Sequence, residues 1–237
     1  MNRSTLIASA VSLIGLTSVF SSSSAQAAIV NGSFETNDFT GWTTIGDAST
    51  KTSAYGSGPT AGTYQALLLA TPQASTAVPA DLESFLGLTT GSLDNGQTSQ
   101  GSAIEQTFTG LAGQVLTFNW NFLTSDATPA NPNFNDFSFV TIGSLSKLAD
   151  TTSTFVASKT SFSKETGYKI FSYTIPTTGS YTLGIGVANL GDTFGNAGII
   201  VDNVTLASTP VPKPNAAWGI LAFGVFGFGS ILKRQHH

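Results

Sequence analysis

Between residues 28 and 209 the groups able to do chemistry are carboxylates, amides, hydroxyls and aromatic rings, because this stretch holds no Cys, His, Arg or Met. Ser-His-Asp triads, Cys-His nucleophiles, histidine zinc sites and arginine clamps on phosphate are therefore excluded from it. A glycosidase needs only two acids roughly 5 to 9.5 Å apart, but nothing in the sequence nominates a pair, and a non-enzymatic role is expected. Oxygen ligands are densest from Asp126 to Asp136, which also contains Asn131, Asn133 and Asn135. A hard cation takes such ligands, yet the segment lacks EF-hand spacing and carries Pro129 and Pro132, so it reads as a solvated turn. Trp42, Tyr55, Tyr64 and Trp120 are the rings to nominate as sugar platforms. Trp120 shares its face with Leu116, Phe118 and Phe122 and reads as core, and Trp42 reads as a core plug. A sugar site is better sought on the polar face of Thr117, Asn119 and Asn121, or in the loops.

All thirteen carboxylates lie between Glu35 and Asp202 against only five lysines, leaving this region at −8 although the whole chain is at −4. A surface of that sign repels nucleic acid, which is excluded as a partner, and attracts cations. Only 9% of residues are charged while 41% are hydrophobic, a balance that favours a packed core over disorder. With no cysteine, the core must hold the domain without disulfides.

The elements that must position these groups are short alternating runs separated by Gly, Asn, Asp, Pro and Thr clusters, the pattern of an all-β sandwich of two antiparallel sheets. Strands are expected at 29–34, 64–70, 103–108, 115–123, 136–142, 154–161, 168–175, 180–187 and 198–206. Alternation is clearest in Leu116, Phe118, Trp120 and Phe122, and again in Tyr181, Leu183, Ile185 and Val187. One short helix is expected from Pro79 to Leu86, started by Pro79 and stopped by Gly87, as a loop insertion across one end of the sandwich. No repeat of 20 to 50 residues is visible, which argues against solenoids and propellers.

The two ends differ from the middle. Residues 1–27 read as a signal peptide: Arg3 in a short basic start, an apolar stretch from Leu6 to Phe20, and Ala25 and Ala27 forming an A-x-A cleavage site. At the other end Pro212, Lys213 and Pro214 precede an uncharged stretch, then Lys233 and Arg234. Residues 216–232 would make a helix of roughly 25 Å, just enough to span a membrane, with the basic tip 233–237 held in the cytoplasm. The expected division is signal peptide 1–27, ectodomain 28–209 and sorting segment 210–237.

This proline pair, glycine-rich apolar helix and basic tip resembles the PEP-CTERM sorting domain of Gram-negative bacteria, with Lys213 where that family has glutamate. The resemblance implies recognition by an exosortase-type processing enzyme, anchoring in the inner membrane before processing, and a final place at the cell surface or outside the cell. The opening Val30-Asn31-Gly32-Ser33-Phe34-Glu35 with Gly41-Trp42, the middle Ile104-Glu105-Gln106-Thr107-Phe108, and the closing Ile200-Val201-Asp202-Asn203-Val204 resemble jelly-roll carbohydrate-binding modules and their galactose-binding-like relatives. That resemblance implies that first and last strands meet and that Glu35 and Asp202, with the Ser33 carbonyl and a carbonyl near Lys51 to Ser53, hold a structural Ca²⁺. The alternative is that Asp202 hydrogen-bonds backbone amides at the strand junction. The expected function is that of a non-enzymatic exported surface or extracellular-matrix protein. The alternative is a carbohydrate-binding module attached to exopolysaccharide.

Overall fold

The computed structural model describes residues 29–72, 75–93, 97–128, 132–192 and 196–207. The signal peptide with Ala25 and Ala27, and the sorting segment with Pro212, Lys213, Pro214, Lys233 and Arg234, lie outside the described residues. Among the described residues no helix is long and apolar enough to cross a membrane.

Alternation of apolar and polar side chains becomes a sandwich here. Its strands are β1 (Thr43–Ile45), β2 (Asp47–Lys51), β3 (Gln65–Ala70), β4 (Thr98–Gly110), β5 (Val115–Thr124), β6 (Phe137–Ile142), β7 (Ser144–Asp150), β8 (Val156–Ala157), β9 (Lys164–Glu165), β10 (Lys169–Thr174), β11 (Gly179–Leu190) and β12 (Ala197–Ala207). The five-stranded sheet runs β1-β4-β11-β6-β7; the seven-stranded sheet runs β2-β3-β12-β5-β9-β8, with β10 also paired to β5. All pairings are antiparallel. The inner faces meet in one cluster that includes Leu116, Phe118, Trp120 and Phe122 of β5, Ile199 and Val201 of β12, and Ile104, Leu183, Ile185 and Val187 opposite. Trp42 and Trp120 both belong to this core, 7% and 5% exposed.

The helix α1 (Pro79–Phe85) begins on Pro79 as expected. Its place is not the end of the sandwich. Leu82 and Leu86 pack with Ala103, Phe137, Phe139 and Ala188 on the outer face of the five-stranded sheet. Missing side chains admit it: a Cβ on Gly101 would stand 2.7 Å from Leu82 Cδ2 and 2.6 Å from the Val187 carbonyl oxygen.

Two expected strands change, and short ones appear that were not expected. Residues 29–34 form successive turns, because Asn31 and Phe34 take left-handed backbone at φ 49° and 56° and the Phe34 amide donates to Asn31 O at 3.1 Å. Phe34 is fully buried and lies 5.6 Å from the Trp42 ring, so a core aromatic compensates the backbone strain. Of 154–161 only Val156–Ala157 is strand. Strands β1, β2 and β7 are short or polar edge pieces without a run of alternating apolar residues. The first turn and the last strand do meet: Val204 N donates to Gly32 O at 2.8 Å.

The Gly101→Ala substitution should cost about 1–3 kcal/mol, since the new methyl meets a backbone oxygen that cannot step aside. Gly179→Ala, with nothing within 4 Å of its Cβ, should stay within about 0.5 kcal/mol. Urea unfolding of both variants checks the pair.

Candidate functional site

In a sandwich with one solvated face per sheet, outward residues are polar. Here Leu67 of β3, Leu123 of β5 and Ile200 of β12 point outward from the seven-stranded sheet and are buried under Phe162, with Tyr55, Leu69 and Tyr168 packed against them. Two loops, 52–64 and 158–168, supply that cover. Where they stop short, a cavity of about 300 Å³ opens, lined by Leu67, Leu69, Tyr55, Phe162, Lys51, Thr71, Ser125, Ser161 and Asn196. Two rings, an aliphatic floor and a rim of hydroxyl and amide groups make it amphipathic. Burial raises the Tyr55 pKa against the opposing hydroxyls of Ser161 and Thr160, and Lys51 Nζ stands 5.9 Å from the ring centroid. A second cavity, about 530 Å³, includes Phe155, Val156, Thr128 and Lys164 in its lining. Among the described residues, no carboxylate lines either cavity.

The expected polar face is engaged internally. Thr117 and Thr205 hydroxyls bond at 3.0 Å, Asn119 Nδ2 donates to Thr60 Oγ1 at 2.7 Å, and Asn121 is fully buried, its Oδ1 accepting from Thr166 Oγ1 at 3.3 Å. Of the nominated rings, Tyr55 alone lines the cavity of about 300 Å³; Tyr64 packs against the main core. Phe162 escaped sequence reasoning because it sits in a polar stretch, Thr160-Ser161-Phe162-Ser163, with no strand period.

Glu35 and Asp202 act on one loop. A bulge around Asn203, at φ 52°, shifts the register of β12 against β5. Beside it Asp202 Oδ2 accepts from Thr60 N at 2.6 Å, Thr60 Oγ1 at 2.8 Å and Ala61 N at 2.8 Å, and Oδ1 from Asn203 N at 2.7 Å. Glu35 Oε1 accepts from Thr63 N at 2.8 Å and Tyr64 N at 2.9 Å. Both carboxylates therefore face N–H and O–H donors, the opposite of a cation's demand. Ser33 lies in the turn beside them, and the Thr52 and Ser53 carbonyls accept from Tyr55 N and Gly56 N. Burial raises the Asp202 pKa, opposed by the hydrogen bonds from Thr60, Ala61 and Asn203. Among the described residues no group of three or more His, Cys, Asp or Glu stands as a metal cluster.

Of the stretch Asp126 to Asp136, expected as a solvated turn, residues 126–128 and 133–135 are exposed or half-buried, but the last residue is not. Asp136 is 1% exposed. Its Oδ1 accepts from Leu190 N at 2.9 Å, while Oδ2 is buried without a hydrogen-bond donor. Its pKa is raised from 3.8 to about 9, first by burial, then by the neighbouring Asp126 carboxyl and the charges of Asp126 and Asp192, with the Leu190 amide opposing.

No family model matches this chain, and no curated protein does. Solved structures with a similar course exist. One is TmCBM61 in complex with β-1,4-galactotriose, at 14% identity over 78% of this chain and 100% of that one, with a TM-score of 0.41. Another is CBM28, a non-crystalline cellulose specific carbohydrate-binding module, at 11% identity over 77% and 96%, TM-score 0.39. A third is the K2 cleaved adhesin domain of Lys-gingipain, at 9% identity over 78% and 99%, TM-score 0.37.

In chelator the folded domain keeps the Asp136 proton to about pH 9, whereas its ordinary pKa is 3.8. The folded state then binds more protons than the unfolded one, so unfolding free energy falls as pH rises through that window, by at most about 1.4 kcal/mol per pH unit. Asp136→Asn should remove this component. Urea titrations at stepped pH give the difference in slope between the two proteins, and equal slopes contradict the assignment.

Proposed function

We propose that this is a non-enzymatic exported protein of the cell surface or extracellular matrix, whose β-sandwich attaches to extracellular polysaccharide through the groove of Tyr55 and Phe162. The observation that carries the reading is that groove. Its rings and the Leu67–Leu69 floor suit the C–H faces of a neutral sugar, and Thr71, Ser125, Ser161 and Asn196 suit its hydroxyls. The absence of carboxylates from its lining suits retention over hydrolysis, because glycosidic cleavage needs two acids at the bond. Export rests on the signal peptide ending at Ala27, and sorting on Pro212-Lys213-Pro214 with Lys233 and Arg234 as an exosortase substrate of the inner membrane. The resemblance implies a structural Ca²⁺ on Glu35, Asp202 and Ser33, as an alternative ion position that would have to displace the N–H donors of residues 60–64.

Tyr55→Ala should weaken binding of its polysaccharide at least tenfold, about 1.4 kcal/mol, at a temperature where the variant is still folded, in affinity electrophoresis against a panel of neutral glycans. Saturable binding untouched by Tyr55→Ala and Phe162→Ala would move the site elsewhere. Absence of any saturable binding would leave a matrix component without glycan affinity. Intact mass from membrane, periplasmic and extracellular fractions tests the sorting: a chain starting at Ala28 and ending near Pro214 outside the cell is the expected product, and a full tail retained in the inner membrane reduces the segment to an anchor.

A further inference from the structure

Among the described residues four carboxylates are buried, Glu83, Asp136, Glu165 and Asp202, and three are solvated by the protein. Glu83 takes Gly91 N and Leu93 N, each at 2.8 Å. Glu165 takes the Ser57 and Ser158 hydroxyls. Asp202 takes the donors of residues 60, 61 and 203. Asp136 breaks the pattern: one oxygen is satisfied by Leu190 N, the other is buried with no donor, and the carboxyl of Asp126 lies beside the group. Two carboxylates that face one another in a buried place either share a proton or share a cation.

We propose that a hard divalent cation of the calcium class binds between Asp126 and Asp136, tying the residues just after β5 to the start of β6 beside the end of β11. The residues are held ready for it. Thr151 N fixes the Asp136 carbonyl at 3.1 Å, Asn196 N approaches Asp126 Oδ1 at 3.3 Å, and Asp192 adds a third negative charge nearby. The domain's −8 over residues 35–202 supplies the long-range attraction. Two carboxylates fill part of a shell of roughly six to eight oxygens, and waters and neighbouring carbonyls supply the remainder.

The site also bears on the groove. Ser125 and Asn196, two of its rim residues, are joined by Ser125 N to Asn196 O at 3.0 Å and flank Asp126. A cation there stiffens the rim. This consequence rests on the groove reading; the cation site does not.

The test is the melting temperature of the full-length chain in chelator and in millimolar calcium, with calcium binding measured by calorimetry. A cation at a hundred times its Kd should raise the melting temperature by roughly 5–10 °C. Asp136→Asn should abolish that increment while folding well in chelator, because its carboxamide can donate to Asp126. The double variant Glu35→Gln with Asp202→Asn should keep the increment. No calcium increment in the wild-type chain, or one that survives Asp136→Asn and vanishes in the double variant, overturns the proposal; the second result places the ion at residues 35 and 202. Glycan affinity measured alongside separates the two readings: calcium binding without glycan affinity sinks the groove and leaves the cation site standing.

Discussion

A buried carboxylate must be solvated, and this domain has almost no cations to do it. Between Glu35 and Asp202 there are five lysines and no arginine, and the ion pair of Lys147 with Asp150 at 3.5 Å lies near the surface. Backbone amides and hydroxyls take the role instead, each such charged hydrogen bond contributing about 1.5–3 kcal/mol. Loop conformation follows from that demand. Glu83 draws in the turn at residues 91–93, Asp202 and Glu35 hold 60–64 from two sides, and Glu165 ties Ser57 to Ser158. The segments held by Asp202, Glu35 and Glu165 are the ones that cover the outward Leu67, Leu123 and Ile200 and bring Tyr55 and Phe162 to the groove.

The same covering explains why the sandwich is buried beyond its inner faces. On the five-stranded sheet Gly101, Gly184 and Gly186 leave a trough that Leu82, Leu86 and Phe139 fill. On the seven-stranded sheet the equivalent work falls to loops, because β3, β5 and β12 present leucine and isoleucine outward there. Burial of this kind stabilises by about 25 cal/mol per Å² of apolar surface, which suits a chain with neither disulfides nor many ion pairs.

Period-two alternation is local, so the inner faces of β5 and β11 are legible in the sequence, as is the helix begun by Pro79. The seat of that helix is not, since it depends on glycines at 101, 184 and 186 coming together from two strands. Residues 29–34 carry strand-like composition, but Asn31 and Phe34 in left-handed backbone turn them into a cap. Glu35 and Asp202 are legible as partners through their motifs, and both reach residues 60–64. The Asp126–Asp136 run is legible as oxygen-rich only. Its burial requires Leu190, 54 residues away, to close over it, and no local pattern announces a contact of that range.

Direction along β12 ties the groove to the ends of the chain. Ala197 starts the strand beside the groove, where Asn196 forms part of the rim, and Ala207 ends it past the bulge, where Val204 meets Gly32. Eleven residues of strand at about 3.3 Å each separate those points by roughly 33 Å. Both the first described residues and the last therefore lie at the end of the sandwich remote from the rim. Under the proposed anchoring, the attachment would therefore leave from that remote end, and the rim of Ser125 and Asn196 would face away from it.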